Sequence, residues 1–327
     1  MNFLEVNGVS IEEEGAFVLK DISFSQGELQ KIAIAGETGS GKSTLLKIIA
    51  GYIQPGAGAV FFEETRVKGP AEKLVPGHPG IAYLSQQFEL PKSLRVEQVL
   101  RYANTLTAAE AETLYAVCRI SHLLHRRTDH LSGGERQRIA MARLLTSAPR
   151  LLLLDEPYSN LDMVHKELLK AVIRDIGEEL HITCTLISHD PLDTLSWADE
   201  IIVMKNGQVQ QQASPAKIYR QPANTYIAGL FGNYNLLPPA QAHAFSRLPG
   251  IALHGKSVLI RPENLRLAAN ESEGVAGKVQ QVHFFGSYYE LDVQLPEATL
   301  RLKTNSLSVA KGETVYIAVA PDDVWYI

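Results

Sequence analysis

The first thirty residues alternate apolar and polar positions, as in Phe3-Leu4-Glu5-Val6 and Phe17-Val18-Leu19-Lys20-Asp21-Ile22-Ser23-Phe24. A period of two predicts antiparallel strands with one buried face. The pattern then changes. Short apolar runs at residues 32–35, 81–84, 151–154 and 182–187 lack alternation and predict strands buried on both faces. Helical spacing fills the gaps between them. Residues 45–50 open a helix, and further helices are expected at about 134–147 and 163–180. From Val96 to about Arg127, Val96, Val99, Leu100 and Ala103 share one helical face, and Leu114, Val117 and Cys118 share another. Residues 51–58 and 65–79 carry the Gly and Pro of turns and loops, with a short strand at 60–62 between them. Asn206-Gly207, between apolar runs at 201–204 and 209–211, predicts a hairpin. Buried strands separated by helices describe an open α/β sheet whose ligand lies at the strand ends.

Near Gly232 the pattern shifts again. Short strand-like runs at 257–260, 275–285, 288–294, 299–303 and 314–319 predict a small all-β barrel. The expected domains are therefore residues 1–232 and 233–327.

Composition narrows the classes. The 327 residues suffice for two cores, and 45% hydrophobic with 20% charged residues excludes wholesale disorder. A net charge of −5 argues against a broad nucleic-acid face. Residues 236–327 hold eight Lys or Arg and nine Asp or Glu, a poor start for binding a phosphate backbone. Two cysteines, Cys118 and Cys184, make no disulfide framework and fit a reducing compartment. The first nine residues lack the basic flank and apolar core of a signal peptide. No run approaches the roughly 18 apolar residues of a membrane helix. The chain is expected to be soluble, with any membrane crossing supplied by other chains.

Candidate chemistry concentrates at strand ends. Gly36-Glu37-Thr38-Gly39-Ser40-Gly41-Lys42-Ser43-Thr44 follows the strand at 32–35 and opens a helix, the setting of a phosphate loop. Its glycines let backbone N–H groups converge on phosphate oxygens, with the positive helix end behind them. Lys42 would reach the β- and γ-phosphates, and the Ser43 hydroxyl would ligate Mg²⁺. At the end of the 151–154 strand, Asp155 would hold Mg²⁺ through water, and Glu156 would polarise the water that attacks the γ-phosphate. His189 and Gln86 also follow apolar strands. On spacing alone each is either a γ-phosphate or metal contact or an ordinary structural side chain.

Leu131-Ser132-Gly133-Gly134-Glu135-Arg136-Gln137 resembles the signature of the ATP-binding cassette (ABC) family. The resemblance covers residues 1 to about 230. It implies that Gln86, rather than adjacent Gln87, is the Q-loop glutamine, that Ser159-Asn160-Leu161-Asp162 is the D-loop, and that His189 is the switch histidine. It also implies an antiparallel β subdomain and a helical subdomain at about 96–147. In the family two cassettes pair head-to-tail, so Ser132, Gly133 and Gly134 of one copy would close over ATP bound by the other. Asp162 would belong to the same nucleotide site.

Residues 198–208 and 214–222 resemble ATPase subunits of bacterial importers. Ile260-Arg261-Pro262-Glu263-Asn264-Leu265, with Gly277-Lys278-Val279 and Phe284-Phe285-Gly286, resembles their C-terminal TOBE barrel. The resemblance implies an ATP hydrolase at the cytoplasmic face of the inner membrane, peripheral, docked on transmembrane permease subunits and served indirectly by a solute-binding protein. The docking helix would meet the helical insert and the 86–94 loop, where Leu90, Pro91 and Leu94 offer apolar surface. Importer cassettes stack an aromatic on adenine. Residues 10–14 hold none, and Phe17 is the nearest. The competing reading is a soluble ABC ATPase acting on nucleic acid or ribosomes. The chain's single cassette and acidic barrel argue against it. A non-hydrolysing regulator is disfavoured by the presence of Lys42, Glu156 and His189.

Overall fold

A computed structural model describes residues 3–327 except 88, 103, 244, 246–250, 252–254 and 306–308. Ala103, expected on the first helical face, lies outside the described residues. The described chain forms two compact units, 1–215 and 216–327.

The first unit opens with β1 (Leu4–Glu13), β2 (Ala16–Gln26), β3 (Ile32–Ala35), α1 (Lys42–Ile49), β4 (Ala57–Phe62), β5 (Thr65–Arg66) and β6 (Ile81–Leu84). The helical insert follows as α2 (Val96–Arg101), α3 (Ala108–Val117) and α4 (Gly133–Leu145). Next come β7 (Leu151–Asp155), α5 (Met163–Glu179), β8 (Thr183–Ile187), α6 (Pro191–Leu195), β9 (Glu200–Lys205) and β10 (Gln208–Ala213). The alternating strands pair as expected in an antiparallel sheet ordered β2-β1-β4-β5. Residues 65–66, expected as loop, add its short edge strand. The second sheet, β10-β9-β3-β8-β7-β6, is parallel except for the β9–β10 hairpin. At the hairpin turn Asn206 and Gly207 have φ of 50° and 71°, the positive pair that a two-residue turn requires.

The leucine run of β7 shows why a strand loses its alternation. Leu151 and Leu153 face a core shared with α1 and the antiparallel sheet, whereas Leu152 and Leu154 face a core shared with α4 and α5. All four are fully buried. Two-sided burial of the parallel sheet delivers the ends of β3, β6, β7 and β8 to one edge. Among the described residues no helix is long and apolar enough to cross a membrane.

The second unit holds α7 (Pro215–Arg220), α8 (Thr225–Leu230), β11 (Asn235–Leu237), α9 (Pro239–Ala242), β12 (Val258–Ile260), β13 (Leu265–Ala268), β14 (Val275–Phe284), β15 (Tyr289–Gln294), β16 (Thr299–Thr304), β17 (Thr314–Val319) and β18 (Val324–Tyr326). Its sheets, β11-β12-β18 and β13-β17-β14-β15-β16, enclose one apolar core. Asn235 joins them. Its side-chain amide donates to Arg301 O at 2.8 Å, and its Oδ1 accepts from Arg301 N at 2.7 Å, in place of a strand ladder. The two helices before Gly232 belong by their contacts to this unit, because Arg261 holds them. The buried guanidinium donates to the carbonyls of Tyr219, Ala228, Gly232 and Asn233 and lies 4.1 Å from the Tyr219 ring centroid. Six-residue helices have little stability of their own and depend on such tertiary bonds.

Candidate functional site

The phosphate-loop sequence runs from the end of β3 into α1, and Gly36, Gly39 and Gly41 have φ of 152°, 83° and 93°. At Gly36 and Gly41 close packing adds to backbone freedom. A Cβ on Gly36 would stand 2.3 Å from Met204 O, and one on Gly41 would stand 2.6 Å from Val18 O. Thr107, Ser132 and Asp162 cap α3, α4 and α5, whereas no described side chain caps α1. Its first-turn N–H groups, with the helix dipole, suit an anion. Lys42 Nζ sits inside the loop at 2.9 Å from Gly36 O, 2.7 Å from Glu37 O and 3.2 Å from Ser40 Oγ. Burial lowers its pKa, against the opposing charges of Glu156, Asp155 and Glu37.

The acids at the end of β7 diverge. Asp155 Oδ1 accepts from Ser43 Oγ at 3.0 Å, and Oδ2 accepts from Tyr83 OH at 2.8 Å. At Glu156 the backbone turns left-handed (φ 48°), a conformation costing about 1–2 kcal/mol outside glycine. The turn is held by Glu156 N donating to Ile187 O at 3.1 Å and by Ser159 Oγ donating to Glu156 O at 2.7 Å. Glu156 Oε2 then accepts from Gln86 Nε2 at 3.0 Å and stands 3.5 Å from His189 Nδ1. The structure thus brings Gln86, Glu156 and His189, from the ends of three strands, to one carboxylate.

The remaining candidates lie around this centre. Ser132 caps α4 reciprocally with Glu135: Ser132 N donates to Glu135 Oε2 at 2.7 Å, and Ser132 Oγ accepts from Glu135 N at 3.3 Å. A Cβ on Gly133 would meet nothing within 4 Å, whereas one on Gly134 would stand 2.9 Å from His165 Cδ2. Asp162 caps α5 through His165 N at 2.9 Å, and its Oδ2 is 2.6 Å from His165 Nδ1. Phe17 is half-exposed on β2 beside Val18, whose carbonyl touches Gly41, and Lys20 Nζ lies 5.5 Å from its ring centroid. Leu90, which the sequence leaves open between docking surface and ordinary loop packing, is partly buried against the core of the helical insert.

Two features escaped the sequence reading. Tyr83, in the apolar β6, holds Asp155. Lys166 on α5 pairs with Asp190 at 2.5 Å and with the buried Asp193 at 2.8 Å. Lys170 also reaches Asp193, at 3.2 Å, and Ser188 Oγ donates to Asp193 Oδ2 at 3.0 Å. This network fixes both sides of His189. A tyrosine in an apolar strand reads as core and a lysine on an amphipathic helix as surface, so neither carries a local signal.

The residues fit Mg²⁺. Ser43 Oγ and Asp155 Oδ1 are hard oxygen donors at the edge of the phosphate loop, suited to an ion that keeps most of its shell as water and phosphate. Among the described residues no group of three or more His, Cys, Asp or Glu gathers to hold a metal by side chains alone.

An open α/β sheet with a phosphate loop on one strand and paired acids on another defines a phosphate-loop nucleoside triphosphatase. Comparison with known proteins places it more closely. A family model described as "ABC transporter" matches residues 19–159, and one described as "TOBE domain" matches residues 258–327. The chain is 31% identical over 330 residues to the sulfate/thiosulfate import ATP-binding protein CysA of Synechocystis sp., covering 95% of this chain and 92% of that one. It is 29% identical over 338 residues to the spermidine/putrescine import ATP-binding protein PotA of Desulfitobacterium hafniense, covering 97% and 94%. Its fold matches the ADP conformation of the ATP-binding cassette MJ1267 with a TM-score of 0.60 at 23% identity, over 70% of this chain and 98% of that one. The chain belongs to the ABC transporter family and carries a C-terminal TOBE domain.

Proposed function

We propose that the chain is the ATP-hydrolysing, energy-coupling subunit of a membrane importer. The observation that carries this reading is the meeting of Gln86 and His189 on Glu156, beside the Ser43–Asp155 pair. The loop from Gly36 to Thr44 cradles the triphosphate of ATP, and Lys42 moves from its loop carbonyls to the β- and γ-phosphates. Glu156 orients the attacking water and accepts its proton, Gln86 holds that carboxylate in register, and His189 donates to the γ-phosphate. Ser43, Asp155 and Gln86 would hold Mg²⁺, which would supply charge compensation for the triphosphate. Phe17 stacks on adenine.

A second copy completes the site. Ser132 and the open backbone at Gly133 and Gly134 meet the γ-phosphate held by the partner, and Asp162 orders the adjoining turn. ATP binding therefore closes a head-to-tail pair, and hydrolysis opens it. The pair works at the cytoplasmic face of the membrane, against transmembrane permease subunits that a solute-binding protein serves. A cavity of about 730 Å³ beside Gln86, walled by Tyr52, Tyr83, Ser85, Gln87 and Arg143, supports docking of a permease segment. The two import relatives are named for an anion and for polyamines, so the solute is chosen by the other subunits.

Phosphate release by the purified chain tests the reading. MgATP hydrolysis should fall by about 10²–10⁴-fold in Glu156→Gln, while ATP binding persists. Equal rates for this variant and the wild type would overturn the assignment of Glu156.

A further inference from the structure

Among the described residues, Tyr83 both hydrogen-bonds Asp155 and lines the cavity beside it. Its hydroxyl donates to Asp155 Oδ2 at 2.8 Å, on the oxygen opposite the Ser43 contact. Tyr83 and Tyr52 both line the cavity, and their ring centroids lie 6.0 Å apart. Both carboxylate oxygens of Asp155 are therefore engaged by hydroxyl donors from different elements, Ser43 on α1 and Tyr83 on β6.

We propose that Tyr83 is a positioning residue for the metal site: its hydroxyl orients Asp155, and its ring carries the state of the cavity wall to that carboxylate. The proposal rests on the reading of Asp155 as a metal-holding group. The hydroxyl fixes the rotation of the Asp155 carboxylate and leaves Oδ1 facing Ser43, where the ion would be shared. Partners that orient a metal ligand in this way commonly contribute about ten- to a hundredfold in metal affinity. Pressure on the ring from a segment seated in the cavity would shift the hydroxyl by way of a rigid six-membered ring. A docked partner and the metal site are thus joined through one side chain.

Tyr83→Phe removes the hydroxyl and keeps the ring. Mn²⁺ binding to the full chain, read by electron paramagnetic resonance with a non-hydrolysable ATP analogue, should weaken by about ten- to a hundredfold. Analogue binding in EDTA should match the wild type, which shows that the loop remains folded. Equal Mn²⁺ affinity in Tyr83→Phe and wild type would overturn the proposal. If wild-type chain with bound analogue takes up no Mn²⁺, the metal reading of Asp155 fails instead. A loss of analogue binding in EDTA would also overturn the proposal, because Tyr83 would then be supporting the loop rather than the metal carboxylate.

Discussion

Asp193 offers the sharpest energetic test of how the catalytic edge is held. Its side chain is 1% exposed and is paired with Lys166 at 2.8 Å and Lys170 at 3.2 Å, with Ser188 Oγ donating at 3.0 Å. Asp193→Ala removes the one fully buried acid and leaves two lysines, 18% and 26% exposed, with reduced compensation. Breaking a buried pair from one side costs about 3–5 kcal/mol. Lys166 retains Asp190 and Lys170 retains Glu167, which sets the expectation at the lower end, about 3 kcal/mol. For a unit of this size that corresponds to a fall of roughly 6–12 °C in Tm. Circular dichroism melting, compared with Arg66→Ala, measures it. The Arg66–Glu72 pair is exposed to solvent, so its loss should leave Tm near that of the wild type. Because the network flanks His189, kcat should fall in Asp193→Ala while the KM for ATP stays within about twofold. The double variant Lys166→Met/Asp193→Leu should recover much of the stability without recovering kcat. A Tm within 2 °C of wild type for Asp193→Ala, on the scale of about 1 kcal/mol or less, would refute the network as a structural clamp.

Other expectations follow from the same geometry. Gly133→Ala should melt with the wild type yet lose ATP hydrolysis, because its Cβ meets nothing in its own chain; retention of full activity would remove Gly133 from the partner's site. Gly134→Ala should lower Tm as well, since His165 must move, and calorimetry separates the two variants. Phe17→Ala should weaken ATP binding by about tenfold through lost stacking, with Phe17→Tyr restoring it, measured by titration calorimetry. Asp190 sets a pH signature. Burial pushes its pKa up, but the Lys166 ammonium and the Leu192 N–H outweigh this and hold it below the ordinary carboxylate value. Its contribution is therefore complete above about pH 4 and lost as pH falls through the lower folded value. Burial lowers Lys166, but bonds to Asp190 and Asp193 outweigh it and raise its pKa, so its share is lost only above about pH 10. The urea-unfolding difference between wild type and Asp190→Asn should be flat from about pH 5 to 9 and shrink in acid.

What could be read from the residues alone follows from how local each signal is. The leucines of β7 announce a doubly covered strand because both flanking cores act on four consecutive residues. Asn206-Gly207 announces its turn because two positive φ values are needed in two positions. The first turn of α1 lies inside the phosphate-loop pattern, so the helix starts at Lys42, three residues before its apolar face shows. Helices α7 and α8 were not legible, since Arg261 holds them from 33 or more residues away. Tyr83 and Lys166 were missed for a related reason: their partners lie 72 and 24 residues away, and their own neighbours explain them as core and surface. At Glu156 the sequence shows a second acid, but the left-handed turn that parts it from Asp155 is a property of the fold.

A nucleotide site completed by a second copy should hold two chains together only while ATP is bound. Sedimentation velocity of Glu156→Gln, in saturating ATP and Mg²⁺, measures it directly. The chain should convert to a species of twice the mass, and removal of ATP should reverse the change. A variant that binds ATP and still sediments as a monomer would contradict the paired site.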